Sequence, residues 1–226
     1  MRARLLTSLA VVAAMAAIAY AMSGAQRTRP TCCGPLPAGA ITGRVRTPDG
    51  QPAAGASVWA VTDDFTTGRL PVSRADGQGA FLIKHLAPGT YKVFASNEGA
   101  DYAPTDSTFY QDGLAAAPQV TVSEQQTVSD VTVYLGAQAA RLVGRVMSAQ
   151  TRGRVKNAQI TLRRVDDSSA SLLIGSDLDG RFNILVPPSP VMVDVAAPGY
   201  QKKLLGALVF AGGEKHSLNI SLLPAN

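Results

Sequence analysis

Residues 41–45 read Ile-Thr-Gly-Arg-Val and residues 142–146 read Leu-Val-Gly-Arg-Val, and each glycine is followed thirty-eight residues later by a phenylalanine, Phe81 or Phe182. Between these anchors GASVWAV (55–61) answers NAQITLR (157–163). After them TYKVFAS (90–96) answers VMVDVAA (191–197). Self-similarity at a fixed spacing restricts the chain to two copies of one structural unit. The matched segments alternate apolar and polar residues with period 2, which places them on strands and not helices.

Each copy contains seven short alternating segments and no long amphipathic helix. The pattern predicts strands near 40–46, 56–62, 69–74, 80–85, 90–96, 118–123 and 128–135. In the second copy it predicts them near 141–147, 158–165, 171–177, 181–186, 191–197, 204–210 and 216–223. Strands of this length separated by turn signals fold as two packed antiparallel sheets. The fold class is therefore all-β: two tandem seven-stranded antiparallel β-sandwiches behind an N-terminal hydrophobic export helix. The expected inward residues are Val45, Val58, Phe81, Ile83, Val93 and Val133 in the first module. In the second they are Val146, Ile160, Phe182, Ile184, Val195 and Ile220. The domain reading is residues 1–25 for export, 26–39 as a linker, 40–136 as module one and 140–226 as module two. The joint Gly136-Ala-Gln-Ala-Ala140 is short, so relative motion of the modules is expected to be restricted.

The 226 residues suffice for two cores, and the composition, 46% hydrophobic and 16% charged, is that of a folded protein. Formal charge is +5. Arg2 and Arg4 account for two of those charges, and no run of basic residues marks the rest. Arg44, Arg46, Arg141 and Arg145 alternate with apolar neighbours, as solvent-facing strand residues do. Nucleic acid is not an expected partner.

Arg2 and Arg4 form a basic start, and Leu5 to Met22 carries no charge and is rich in Ala, Val and Leu. This is the pattern of an export signal. Ala19-Tyr20-Ala21 and Ser23-Gly24-Ala25 each suit a signal peptidase, and removal there gives a periplasmic or secreted product. The alternative is retention of residues 5–22 as an anchor, which would be the chain's one contact with a membrane. Cys32 and Cys33 are adjacent, lie in the linker TRPTCCGPLPAG, and can staple neither module. A vicinal disulfide, an intermolecular bridge and free thiols are the open alternatives.

The repeated motifs resemble the carboxypeptidase regulatory-like domain, a transthyretin-like (prealbumin-like) sandwich of Ig-like architecture. Module one carries Gly43-Arg44-Val45, Asp49-Gly50-Gln51-Pro52 leading to Gly55-Ala56, Asp76 with Gly79 and Phe81, and Pro88-Gly89-Thr90-Tyr91-Lys92-Val93. Module two keeps Gly144-Arg145-Val146, Asn157-Ala158, Asp177-Leu178-Asp179-Gly180-Arg181-Phe182 and Pro198-Gly199-Tyr200, but has PPSPV at 187–191. The resemblance implies a sandwich fold over residues 41–223 and assigns no catalytic residue.

Catalytic signatures are missing. A zinc peptidase needs two histidines and a carboxylate on one metal. His85 precedes Leu86-Ala87-Pro88 and His216 precedes Ser217-Leu218-Asn219, so no H-x-x-E exists, and each histidine reads as a surface or strand-end residue. No nucleophile elbow or phosphate-cradling loop is present. Asp177-Leu178-Asp179-Gly180 offers two carboxylates where calcium wants six or more oxygens, and reads as a turn. The expectation is a non-enzyme without cofactor or metal. Asn219-Ile220-Ser221 fits a glycosylation sequon inside the last strand.

The segment from Asn97 to Pro118 exceeds what a hairpin needs and holds Tyr102, Phe109 and Tyr110 among polar residues. Two roles fit such aromatics: exposed, they would bind sugar rings, with Trp59 as a further candidate; buried, they would close the end of the sandwich. Three functions follow. The first is an exported non-catalytic scaffold or interaction protein, whose partner is a protein or polysaccharide of the cell envelope. The others are a carbohydrate-binding module and an accessory module to a peptidase on another chain.

Overall fold

A computed structural model describes residues 38–62, 72–110 and 116–225. Residues 1–25, expected to serve export, and Cys32 and Cys33 lie outside the described residues, as does the part of the third expected strand before Val72. Among the described residues no helix is long and apolar enough to cross a membrane.

Fourteen strands follow in chain order among the described residues. The first seven are β1 (Gly39–Arg46), β2 (Ser57–Thr62), β3 (Val72–Arg74), β4 (Ala80–Leu86), β5 (Gly89–Ser96), β6 (Gln119–Val122) and β7 (Thr127–Tyr134). The second seven are β8 (Ala140–Ser148), β9 (Gln159–Arg164), β10 (Ser171–Gly175), β11 (Arg181–Val186), β12 (Val191–Ala196), β13 (Lys203–Leu208) and β14 (Lys215–Leu222). They form a three-stranded sheet β4-β1-β7 and a four-stranded sheet β3-β2-β5-β6, then the same pair again as β11-β8-β14 and β10-β9-β12-β13. The second sandwich repeats the first strand for strand.

The anchors of the repeat are cross-strand partners. Phe81 lies opposite Gly43 on β4 and β1, and Phe182 lies opposite Gly144 on β11 and β8. A Cβ built on either glycine would stand 1.8 Å from a carbonyl oxygen, that of Val131 or Leu218. Those carbonyls belong to β7 and β14, which pair with β1 and β8 in parallel. One pair in each sandwich therefore departs from the wholly antiparallel ladder expected from the pattern. The first and last strands of each unit share a sheet and run the same way, a relation that alternation along single strands does not encode.

All twelve expected inward residues are buried, none more than 6% exposed. Two clusters result. One holds Ile41, Val45, Val58, Phe81, Ile83, Val93 and Val133; the other holds Leu142, Val146, Ile160, Phe182, Ile184, Val195 and Ile220, and it also takes in Phe109 of the first module. The turn at Asp177 is held by backbone: its Oδ1 accepts from the amides of Asp179 at 2.9 Å and Arg181 at 2.7 Å. Asp76 Oδ1 does the same for Gln78 and Ala80. These carboxylates shape turns, as the sequence implies.

Candidate functional site

The segment between β5 and β6 is the one large difference between the two repeats. It runs from residue 97 to 118 in the first sandwich, where the second spends only 197–202 between β12 and β13. Its start is pinned to the first sandwich. Asn97 and Tyr102 exchange backbone hydrogen bonds of 2.9 and 3.0 Å, and the Asn97 side-chain amide donates to the Ala54 carbonyl at 3.0 Å. Buried Thr105 extends β5 by one rung, its amide donating to the Ala95 carbonyl and its Oγ1 accepting from the Ala95 amide. Short 3-10 turns span Glu98–Ala100 and Thr108–Tyr110.

The second 3-10 turn packs on the other sandwich. Phe109 is 1% exposed and packs within the core of module two. Tyr110 stands edge-on to it, ring centroids 5.0 Å apart at 78°, and its hydroxyl donates to the Leu185 carbonyl at 3.0 Å. Burial, with the Glu98 charge adding to it, pushes the Tyr110 phenol up to about 12. Ala103, Ala139 and Leu185 close a small apolar cluster against the same ring.

A polar clamp borders these aromatics. Arg141 Nε donates to Asp101 Oδ1 at 2.6 Å, one terminal nitrogen donates to the Glu98 carbonyl at 2.5 Å, and the other reaches Asn183 Oδ1 at 3.2 Å. Asp101 in turn accepts the Ala139 amide at 2.8 Å on its carbonyl. Gln138 Nε2 donates to the Ala100 carbonyl at 3.2 Å. The short joint 136–140 is thus bonded to the inserted segment on one side and, through Gly213 N to the Ala139 carbonyl, to module two on the other. Beside the clamp lies a cleft of about 440 Å³ walled by both sandwiches, with Glu98, Tyr110 and Arg141 facing Leu172 and Ile184.

The four aromatics singled out in the sequence are not brought together. Phe109 and Tyr110 form the wedge just described, so Phe109 is not an exposed sugar-stacking ring. It closes a sandwich, but its neighbour's and not its own. Tyr102 is half-buried against the core of module one, and burial, then the Asp49 charge, raises its phenol. Trp59 is half-buried on the outer face of the four-stranded sheet, where Val72 and Phe94 are its cross-strand neighbours. Its ring centroid is 6.3 Å from that of Phe94 at 30°, and its Nε1 donates to Asp106 at 3.2 Å. Phe94 was missed in the sequence, although TYKVFAS places it on the same face as Lys92 and opposite to Val93.

His85 is exposed at the end of β4, and His216 is half-buried near the start of β14 against Phe210. They stand in different sandwiches. Among the described residues no three His, Cys, Asp or Glu are grouped to hold a metal.

A tandem β-sandwich with an inserted aromatic joint is the class this geometry defines. Residues 40–137, the first sandwich, match the family model of the carboxypeptidase regulatory-like domain. Among solved structures the chain is similar to the Bacillus anthracis TIE protein at 14% identity and TM-score 0.37, over 83% of this chain and 34% of that one. It is similar to a streptococcal ancillary pilin at 15% identity and TM-score 0.36, over 84% of this chain and 63% of that one. Shaft pilin SpaA from Lactobacillus rhamnosus GG matches at 11% identity and TM-score 0.37, over 84% and 98%. The chain thus spans about a third of the first of these proteins and less than two thirds of the second. No curated protein is significantly similar to it.

Proposed function

We propose that this protein is an exported, non-catalytic scaffold in which two carboxypeptidase regulatory-like sandwiches act as one stiff unit that presents its surfaces to a protein or polysaccharide of the cell envelope. The carrying observation is Phe109: a residue of the first module completes the core of the second. Separating the modules would expose that ring and open a cavity where it sat, which ties inter-module motion to loss of core packing. Such coupling suits a part that holds geometry; catalysis would call for a convergent set of reactive side chains. Export rests on Arg2, Arg4 and the uncharged stretch after them. The test is NMR alignment of the exported form: one alignment tensor for both sandwiches supports the scaffold, and two independent tensors contradict it.

Carbohydrate binding is a second reading, favoured by Trp59 and Phe94 side by side on an outer sheet face. Ring faces on a flat sheet with an adjacent carboxylate at Asp106 suit stacking on a sugar. Loss of binding to neutral polysaccharide in Trp59→Ala and in Phe94→Ala, with Tyr102→Ala unaffected, would support it; flat calorimetric traces for the wild type would remove it.

A further inference from the structure

The outer face of the β11-β8-β14 sheet carries a row in strict register: Arg181 on β11 is opposite Arg145 on β8, and Arg145 is opposite Asn219 on β14. Like charges directly opposite on neighbouring strands, with Cβ atoms about 5 Å apart, repel each other and destabilise a sheet. Among the described residues neither guanidinium has a hydrogen-bond or ion-pair partner. The same row in module one has no such conflict, since Arg44 stands between Ala80 and Thr132.

The two arginines line a groove of about 750 Å³ that opens between this sheet and β10, with Asn183, Asn219 and Asp177 at its polar positions and Val143 and Ile174 as apolar wall. Asp177 is the one carboxylate among the lining residues, against the two arginines, so the groove keeps a surplus of positive charge. The Asn183 oxygen is taken by Arg141, which leaves its NH₂ as the free end, while the Asn219 amide has no partner among the described residues.

We propose that this groove binds an acidic polysaccharide, its carboxylate or phosphate group held between Arg145 and Arg181 and its hydroxyls hydrogen-bonded by Asn183 and Asn219. Planar guanidinium forks suit a doubly accepting oxyanion, and an anion between them offsets the repulsion between the two arginines. Side-chain amides, which both donate and accept, suit hydroxyls. The groove exceeds what a single oxyanion fills, and its apolar wall suits the C–H face of a sugar. The site lies within module two, so it names a partner class for the scaffold without depending on the joint.

The experiment is calorimetry on the full chain at low and moderate salt, with polygalacturonate as the acidic polysaccharide, dextran as the neutral one, polyglutamate as an acidic peptide and inorganic phosphate alone. Polygalacturonate is expected to bind and to weaken as salt rises. Arg145→Gln/Arg181→Gln should cost at least about tenfold in affinity, the scale of losing charge-assisted hydrogen bonds, and Arg44→Gln, its counterpart in module one, should cost less than about twofold. Both variants change exposed or half-exposed side chains, and an unchanged melting temperature verifies the fold. The proposal is overturned if polygalacturonate does not bind, if Arg44→Gln costs as much as the double variant, if dextran or polyglutamate binds equally well, or if phosphate binds and the polymer does not. Independent alignment tensors for the two wild-type sandwiches, with polygalacturonate binding intact, would sink the stiff-unit reading alone.

Discussion

The hydroxyl of Tyr110, in the first sandwich, donates a 3.0 Å hydrogen bond to the carbonyl of Leu185, in the second. That bond lies at the rim of a joint whose centre is Phe109, and together they seat part of the first module in the core of the second. Most tandem domains meet through smaller and more polar contacts, which leaves them free to move. Here the insertion between β5 and β6 places Phe109 in the core of the neighbouring sandwich.

Phe109→Ala should destabilise the second sandwich although the residue belongs to the first. Removing a fully buried phenylalanine costs about 3–5 kcal/mol. Amide hydrogen exchange would show the loss on β8 and β11, with β1 and β4 far less affected.

Tyr110 carries a pH signature. Its phenol is pushed from an ordinary 10.0 to about 12, so the folded state holds the proton more tightly than the unfolded chain does. The contribution is fully present below about pH 10 and is lost as pH rises towards 12, roughly 2–3 kcal/mol in all. Tyr110→Phe should abolish that alkaline step in denaturant titrations and cost about 1 kcal/mol at neutral pH through the unpaired Leu185 carbonyl.

Asp194 contributes to the acid stability of module two. Burial pulls its carboxyl up, but hydrogen bonds and charge from Lys202, 2.8 Å away, and from Arg163 outweigh that and hold it below the usual carboxylate range. Its stabilising contribution is present above the ordinary carboxylate range and is lost as pH falls through the lowered value. Lys202→Ala/Arg163→Ala should move the acid-unfolding midpoint to higher pH, followed by circular dichroism.

Gly43→Ala and Gly144→Ala should each damage their own sandwich, because the added methyl group would meet the Val131 or Leu218 carbonyl at 1.8 Å. Forcing the parallel strand outward costs roughly 1–3 kcal/mol or more. Melting temperatures of the two variants check it.

The repeat made the two sandwiches legible: strand positions, the Gly and Phe anchors and all twelve inward residues follow from period-2 alternation and turn chemistry. The parallel closing pair did not, because direction depends on which sheet a strand joins and not on its own pattern. The joint was half legible. Residues 97–118 stood out as an insertion with aromatics, but composition cannot tell an exposed ring from a buried one, nor which core receives it. The sharper indicator was the asymmetry itself: a long aromatic loop in one copy of a repeat, with none in the other, marks a place where the copies differ in what they touch. The opposed Arg145 and Arg181 were hidden for a related reason, since their adjacency exists only once β8 and β11 are in register.

The central claim is that the sandwiches are one unit, and residual dipolar couplings on the exported chain test it most directly. The account predicts a single alignment tensor fitting both modules in the wild type and separable tensors in Phe109→Ala. Independent tensors in the wild type would contradict it.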